Sequence, residues 1–256
     1  MVRRNNIVGC IAAWIVAYAG VMVANGEQGR FEISQHHVAN GSYFLTQSGY
    51  YTLTENLYVT NDSSGGLVVV DDYVTIDLNG FMISGSSNAH SAIRQNPGFL
   101  GLTVKNGSIR NFSGNPGDGD ALVAQGSYNR FENLEFLSCA NAMDLGARNM
   151  VKDCRIANGV GSTAANTYGI RLSNDCQVTS CMVEDSSAGN YIAIEAGHNC
   201  LVQRCVVANN TAQTNFFGIS CKQGAVITEN VVSDNSVNQS LRAVESGTNS
   251  VVADCS

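Results

Sequence analysis

The sequence predicts an all-β chain: a single-stranded right-handed parallel β-helix, a solenoid of about eight coils with three short strands per coil. Three observations predict it. A degenerate unit recurs about every 25 residues along most of the chain, and two apolar rows within that unit keep step with each other. The composition, with 26 Gly, 2 Pro and 14% charged residues, suits short strands and tight turns better than helices. No stretch carries the stripe of an amphipathic helix. An antiparallel sandwich would need two-residue hairpin turns and strict alternation, which the chain lacks.

Residues 1–26 read as a signal peptide. Arg3 and Arg4 precede seventeen uncharged residues, Ile7 to Val23, and the small residues Ala24 and Gly26 follow. The apolar run is short for a membrane span, which needs roughly 20 residues, so a retained anchor is the weaker alternative. The "IVGC" at 7–10 resembles a lipoprotein box, but the apolar run continues well past Cys10. The expected destination is secretion or the cell surface, with the membrane met only through this segment. Its removal takes away two arginines and no acids, moving the formal charge from −7 to −9. An acidic chain without a basic stripe gives a nucleic-acid role no electrostatic support.

Residues 27–60 are expected to form an N-terminal cap and first strand, and 61–256 the β-helix itself. Aligning "NMVKDCRIANG" (149–159), "DCQVTSCMVED" (175–185), "NCLVQRCVVANN" (199–210), "AVITENVVSDN" (225–235) and "NSVVADC" (249–255) yields one template: apolar, two polar, Cys or Asn, any, apolar. The anchors Val104, Phe131, Val151, Val178, Val202, Ile227 and Val252 are spaced by 27, 20, 27, 24, 25 and 25 residues. A second row, Ile93, Leu122, Met143, Ile170, Ile194, Ile219 and Val244, is spaced by 29, 21, 27, 24, 25 and 25. Rows that lengthen and shorten together mean one coil per unit, with variable loops between fixed strands. The chain stops at "VVADCS", inside a unit, and the expectation is that the helix is incomplete at its C-terminus.

The stretches "GSYFLTQSGYYTLTENLYV" (41–59), "DDYVTIDLNGFMISG" (71–85) and "LTVKNGSIRNF" (102–112) resemble the opening coils of secreted bacterial right-handed β-helix repeat proteins of the pectate-lyase-like superfamily, over roughly 41–255. The resemblance implies the fold and leaves activity open, because many proteins of this kind have no assigned reaction. The polygalacturonase set of Asn-Thr-Asp, Asp-Asp and Gly-His-Gly on neighbouring coils does not occur here; Asp71-Asp72 is the one Asp-Asp, placed in the first coils. By analogy with calcium-dependent pectate lyases, Arg171 between Asp144 and Glu195 resembles a reduced catalytic set.

The paired cysteines of "CQVTSC" and "CLVQRC" are read as architecture. Cys154, Cys181, Cys205 and Cys255 hold one template position, which Leu134 and Asn230 fill elsewhere; Cys176 and Cys200 hold another, shared with Asn149, Ala225 and Ser250. A zinc site would not accept Leu or Ala as equivalents, and C-x4-C is not knuckle spacing. Small buried side chains filling a narrow interior are expected. Cys176–Cys200 and Cys181–Cys205 are the disulfide candidates, since neighbouring coils fall within bridging distance in an exported protein.

Residues following the second-row anchors should face outward, and they bring Asp144, Arg171 and Glu195 to three successive coils about 5 Å apart. They are the candidate catalytic residues of a polysaccharide lyase or glycoside hydrolase acting on an acidic polysaccharide. The competing reading is a solvated charge ladder, each pair contributing about 0–1 kcal/mol. Tyr168, Tyr191 and Phe217, just before the anchors, form a candidate aromatic strip; Tyr168, Tyr191 and Glu245 are the candidate substrate-binding residues, with stacking within the wall as the alternative. Asp118 and Asp120 in "GNPGDGDAL" (114–122) are spaced to share a hard cation, making calcium the candidate metal, against a flexible acidic turn. With the catalytic motifs missing, the leading expectation is a non-catalytic exported module binding polysaccharide or another cell-envelope component; the enzyme is the alternative.

Overall fold

The computed structural model of the chain describes residues 29–60, 65–86, 89–113, 120–161 and 166–256. The expected signal segment and Asp118 lie outside the described residues. The described strands stack in parallel into a solenoid of about eight turns, as the repeat predicts. Among the described residues, the helix Gln35–Val38 is short and no helix is long and apolar enough to cross a membrane.

Both apolar rows are realised in register. Val104 aligns with Phe131, then Val151, Val178, Val202, Ile227 and Val252. Ile93 aligns with Leu122, then Met143, Ile170, Ile194, Ile219 and Val244. Each run is too short to bury its apolar side alone. Stacking solves this, since every added coil covers the row below it and each fully buried Val or Ile contributes about 1.5–3 kcal/mol. Ile194 and Val202 are fully buried, whereas Val252 in the last coil is 47% exposed. The first row also continues upstream through Ile76, Tyr51 and Phe31, so the described part of 27–60 is already in register with the coils.

The runs gather into two sheets. The smaller holds the second-row strands, from Tyr43–Leu45 to Ser240–Ser246. The larger holds the first row together with the run that follows it, because the two fuse into single strands at Thr103–Arg110 and Arg130–Leu137. Arg130–Leu137 then pairs with both Met150–Lys152 and Arg155–Ala157. The expected three strands per coil therefore do not separate into three sheets.

Left-handed residues turn the chain at the corners. Thirteen of the twenty non-glycine residues at positive φ are Asn or Asp, which explains why these types punctuate the template. They recur at matching places: Asn106, Asn133 and Asp153 within the larger sheet, Asn158, Asp185 and Asn209 where it ends, and Asp175, Asn199 and Asn249 where it begins.

The residue after each corner points inward, and it explains the exchange of Cys with Asn. Where the equivalent residue one coil on is Asn, Cys or Ser, this residue's N–H can run along the solenoid axis to that side chain, whereas Leu134 and Ala225 offer no acceptor. Asn129 N donates to Asn149 Oδ1 at 2.8 Å, Asn149 N to Cys176 Sγ at 3.4 Å and Cys176 N to Cys200 Sγ at 3.4 Å. Cys205 N donates to Asn230 Oδ1 at 2.8 Å in a second ladder, and Ser186 N to Asn210 Oδ1 at 3.1 Å in a third. A carboxamide, a thiol and a hydroxyl all offer a small acceptor, so each satisfies a buried donor. Cys154, Cys176, Cys181, Cys200 and Cys205 are buried free thiols in this arrangement, the disulfide candidates included.

Candidate functional site

Asp144, Arg171 and Glu195 lie on the outer face of the smaller sheet, one per coil, in the register Val123, Asp144, Arg171, Glu195, Ser220, Glu245. They face outward because each follows a fully buried anchor, Met143, Ile170 or Ile194, in an alternating strand. The expected placement is therefore met. What the three do with one another differs along the row.

Arg171 and Asp144 form a bidentate pair, Nε to Oδ1 at 2.9 Å and a terminal nitrogen to Oδ2 at 2.7 Å. Gln125, beyond the end of Asp120–Ala124, donates to the same Oδ2 at 3.0 Å. The Arg171 guanidinium lies 4.8 Å from the centre of the Tyr168 ring, a cation–π contact. The hydrogen bonds to Asp144 raise the pKa of Arg171 above its ordinary value; burial opposes this, and the charges of Asp144 and Asp120 reinforce it. Glu195, in register with Arg171, has no ion-pair partner among the described residues. Glu245 is paired with Arg242 of its own strand.

The aromatic strip does not form as expected. Tyr191 is 2% exposed and packs inside against Phe216, ring centres 6.2 Å apart. Its register partners are Thr167 and Phe216, while Tyr168 aligns with Ile192 and Phe217. Strict alternation from the inward anchors would put Tyr168, two residues before Ile170, inside and Tyr191, three before Ile194, outside. The alternation breaks at Gly169 and Ala193, each buried beside its buried anchor, so the faces before them are reversed.

Asp120 begins its strand in register with Asn141, where its charge reaches Arg171. A nearby arginine opposes a second cation. Among the described residues no group of three or more His, Cys, Asp or Glu side chains is placed to hold a metal ion.

Two polar clusters on the larger sheet escaped the sequence reading. Arg110, Glu135, Arg155 and Glu184 form a continuous ladder, with contacts of 3.2, 2.9 and 2.6 Å. Glu135 aligns with Arg155, but Arg110 aligns with Leu137 and Glu184 with Ala157, so the ladder forms by side chains reaching diagonally between two aligned positions and no single column of the repeat records it. The second centres on Asp77, which accepts from Tyr50 Oη, the Asn79 N–H at 2.9 Å and Asn106 Nδ2 at 3.1 Å. Burial raises the Asp77 pKa, yet these bonds and Lys105 together hold it below its ordinary value.

Comparison with protein-family models, curated proteins and solved structures finds no match to this chain. The coil architecture thus rests on the register itself, which shows a parallel β-solenoid of about eight turns.

Proposed function

We propose that the chain is an exported, non-catalytic β-solenoid that binds polysaccharide or another cell-envelope component along its outer faces. The observation that carries this reading is the Arg171–Asp144 pair. An arginine whose pKa is raised by the two hydrogen bonds it donates to one carboxylate is a poor proton acceptor, and that carboxylate already has both oxygens engaged. Two of the three side chains that lyase or hydrolase chemistry would use, Asp144 and Arg171, are held in a charge pair with Gln125 and Tyr168 around it. A stiff, ungapped parallel face with one outward side chain per coil suits repetitive binding, because polymer units can meet equivalent positions in turn.

The test is a glycan array run beside an absorbance assay for unsaturated products, with and without calcium, against neutral and acidic polysaccharides. Binding without turnover supports the proposal. Turnover abolished by Arg171→Ala overturns it in favour of a lyase centred on Asp144, Arg171 and Glu195.

A further inference from the structure

On the corner that leads into the larger sheet, two tyrosines occupy a backbone conformation that bulky residues avoid. Tyr73 and Tyr128 have φ of 54° and 60°; Arg148 on the next corner of the row is at 58°, and later corners carry Asp175, Asn199 and Asn249. They are also 69% and 61% exposed, so burial does not offset the unfavourable conformation. A large aromatic held at positive φ and left in water points to a role outside folding.

The corner between them is Gly101, at φ 70°. A Cβ there would come within 2.7 Å of Tyr73 Cδ1, so the ring rests against the Gly101 backbone. The two tyrosines are thus separated by one side-chain-free corner, two coil rises or about 10 Å apart along the axis. The chain of corner bonds, Tyr73 N to Leu100 O, Gly101 N to Ser127 O and Tyr128 N to Arg148 O, shows that the three corners are consecutive. Arg148 then fixes the second ring: its guanidinium lies 5.7 Å from the Tyr128 ring centre and donates to Tyr128 Oη at 3.1 Å. Asp175 lies 4.0 Å from Arg148 and balances its charge.

We infer that Tyr73, Gly101, Tyr128 and Arg148 form a binding strip for a neutral hexopyranose chain lying along the solenoid axis. The inference deepens the proposed polysaccharide binding and rests on it. Pyranose rings present apolar C–H faces that stack on exposed aromatic rings, while Tyr hydroxyls and the Arg148 fork meet the ring hydroxyls. The Tyr73 ring itself covers Gly101, so the chain stacks on the outer faces of the Tyr73 and Tyr128 rings, with no side chain on the corner between them. Asp175 balances Arg148, and Asp72, whose Oδ1 accepts from Leu100 N beside Gly101 at 2.7 Å, adds a negative charge, which favours a neutral chain over a polyuronate in an already acidic protein.

The test uses Tyr73→Asn and Tyr128→Asn, which install the residue type found at other corners of this row, with Tyr58→Ser as a control at another exposed tyrosine on the larger sheet. Binding is measured by calorimetry with hexasaccharides of glucose, mannose, galactose and N-acetylglucosamine, and with polygalacturonate as the charged comparison. The expected result is that at least one neutral hexasaccharide binds, each Asn variant weakens it about tenfold or more, Tyr58→Ser leaves it unchanged, and both Asn variants melt at the same or a higher temperature than the parent. Neutral-glycan binding that survives the double Asn variant overturns the strip while leaving the binding function standing. Binding of polygalacturonate alone overturns the neutral ligand class, and no glycan binding by the parent overturns both readings. A clear fall in melting temperature in the Asn variants makes the tyrosines structural and also overturns the inference.

Discussion

Replacing Asn129 by alanine tests the idea that the inner ladders are built from acceptors. Asn129 is 2% exposed. Its Oδ1 accepts from Leu102 N at 2.8 Å and from Gln95 Nε2 at 3.2 Å, and its Nδ2 donates to Gln95 Oε1 at 2.7 Å. Gln95 Nε2 also reaches Phe99 O at 3.3 Å, so the groups left without these partners are the Leu102 N–H and Gln95 Oε1. Each buried orphan costs about 1–3 kcal/mol, which places Asn129→Ala at about 3–4 kcal/mol. Cys176→Ala, on the same ladder, removes the weaker sulfur contacts with Asn149 N at 3.4 Å and Gly146 O at 3.3 Å and is expected to cost about 1 kcal/mol. Urea unfolding measures both, and native-state hydrogen exchange reads the Leu102 amide directly, which should lose protection in Asn129→Ala alone. A cost for Asn129→Ala no larger than that of Cys176→Ala, with the Leu102 amide still protected, would refute the reasoning.

Alkali should unfold the protein early. Burial pushes the Cys139 and Cys221 thiols from 9.0 to about 12, and the Tyr51 and Tyr191 phenols from 10.0 to about 12. Raised folded pKa values mean that this stability is fully present below about pH 9 and is lost as pH rises toward 12; a melting temperature flat across that window would count against it. Removing the outer charge pair with Arg171→Ala should cost about 1 kcal/mol or less, because the arginine side chain is 40% exposed, and a loss above about 3 kcal/mol would give the pair a structural weight that its exposure does not support. Ile194→Ala should cost about 2–5 kcal/mol and Val252→Ala less than about 1, since the two differ in burial; equal costs would contradict the stacked core. Native thiol labelling should reach half-exposed Cys255 before the seven buried thiols, and alkylation after unfolding without reductant should count every described cysteine as free, a shortfall of two signalling a bridge.

The sequence by itself determined the coil. Inward rows recur because every coil must present the same apolar face to its neighbours, and a requirement repeated about every 25 residues leaves a visible period even when the residues differ. The outward register of Asp144, Arg171 and Glu195 follows from that period and from strand alternation. Alternation alone would put Tyr191 outside, three residues before Ile194; the break at buried Ala193 that turns it inward is not legible in the linear pattern. What only the tertiary structure decided is which side chains meet. Gln125 reaches Asp144 from one coil away, Arg171 turns to Asp144 and not to Glu195, and Tyr73 settles over Gly101. These choices depend on rotamers of flexible side chains and on partners 19 to 28 residues distant, where a linear pattern records position but not direction. The exchange of Cys with Asn shows the same division: the alignment reveals that they are equivalent, and the axial N–H from the preceding coil supplies the reason.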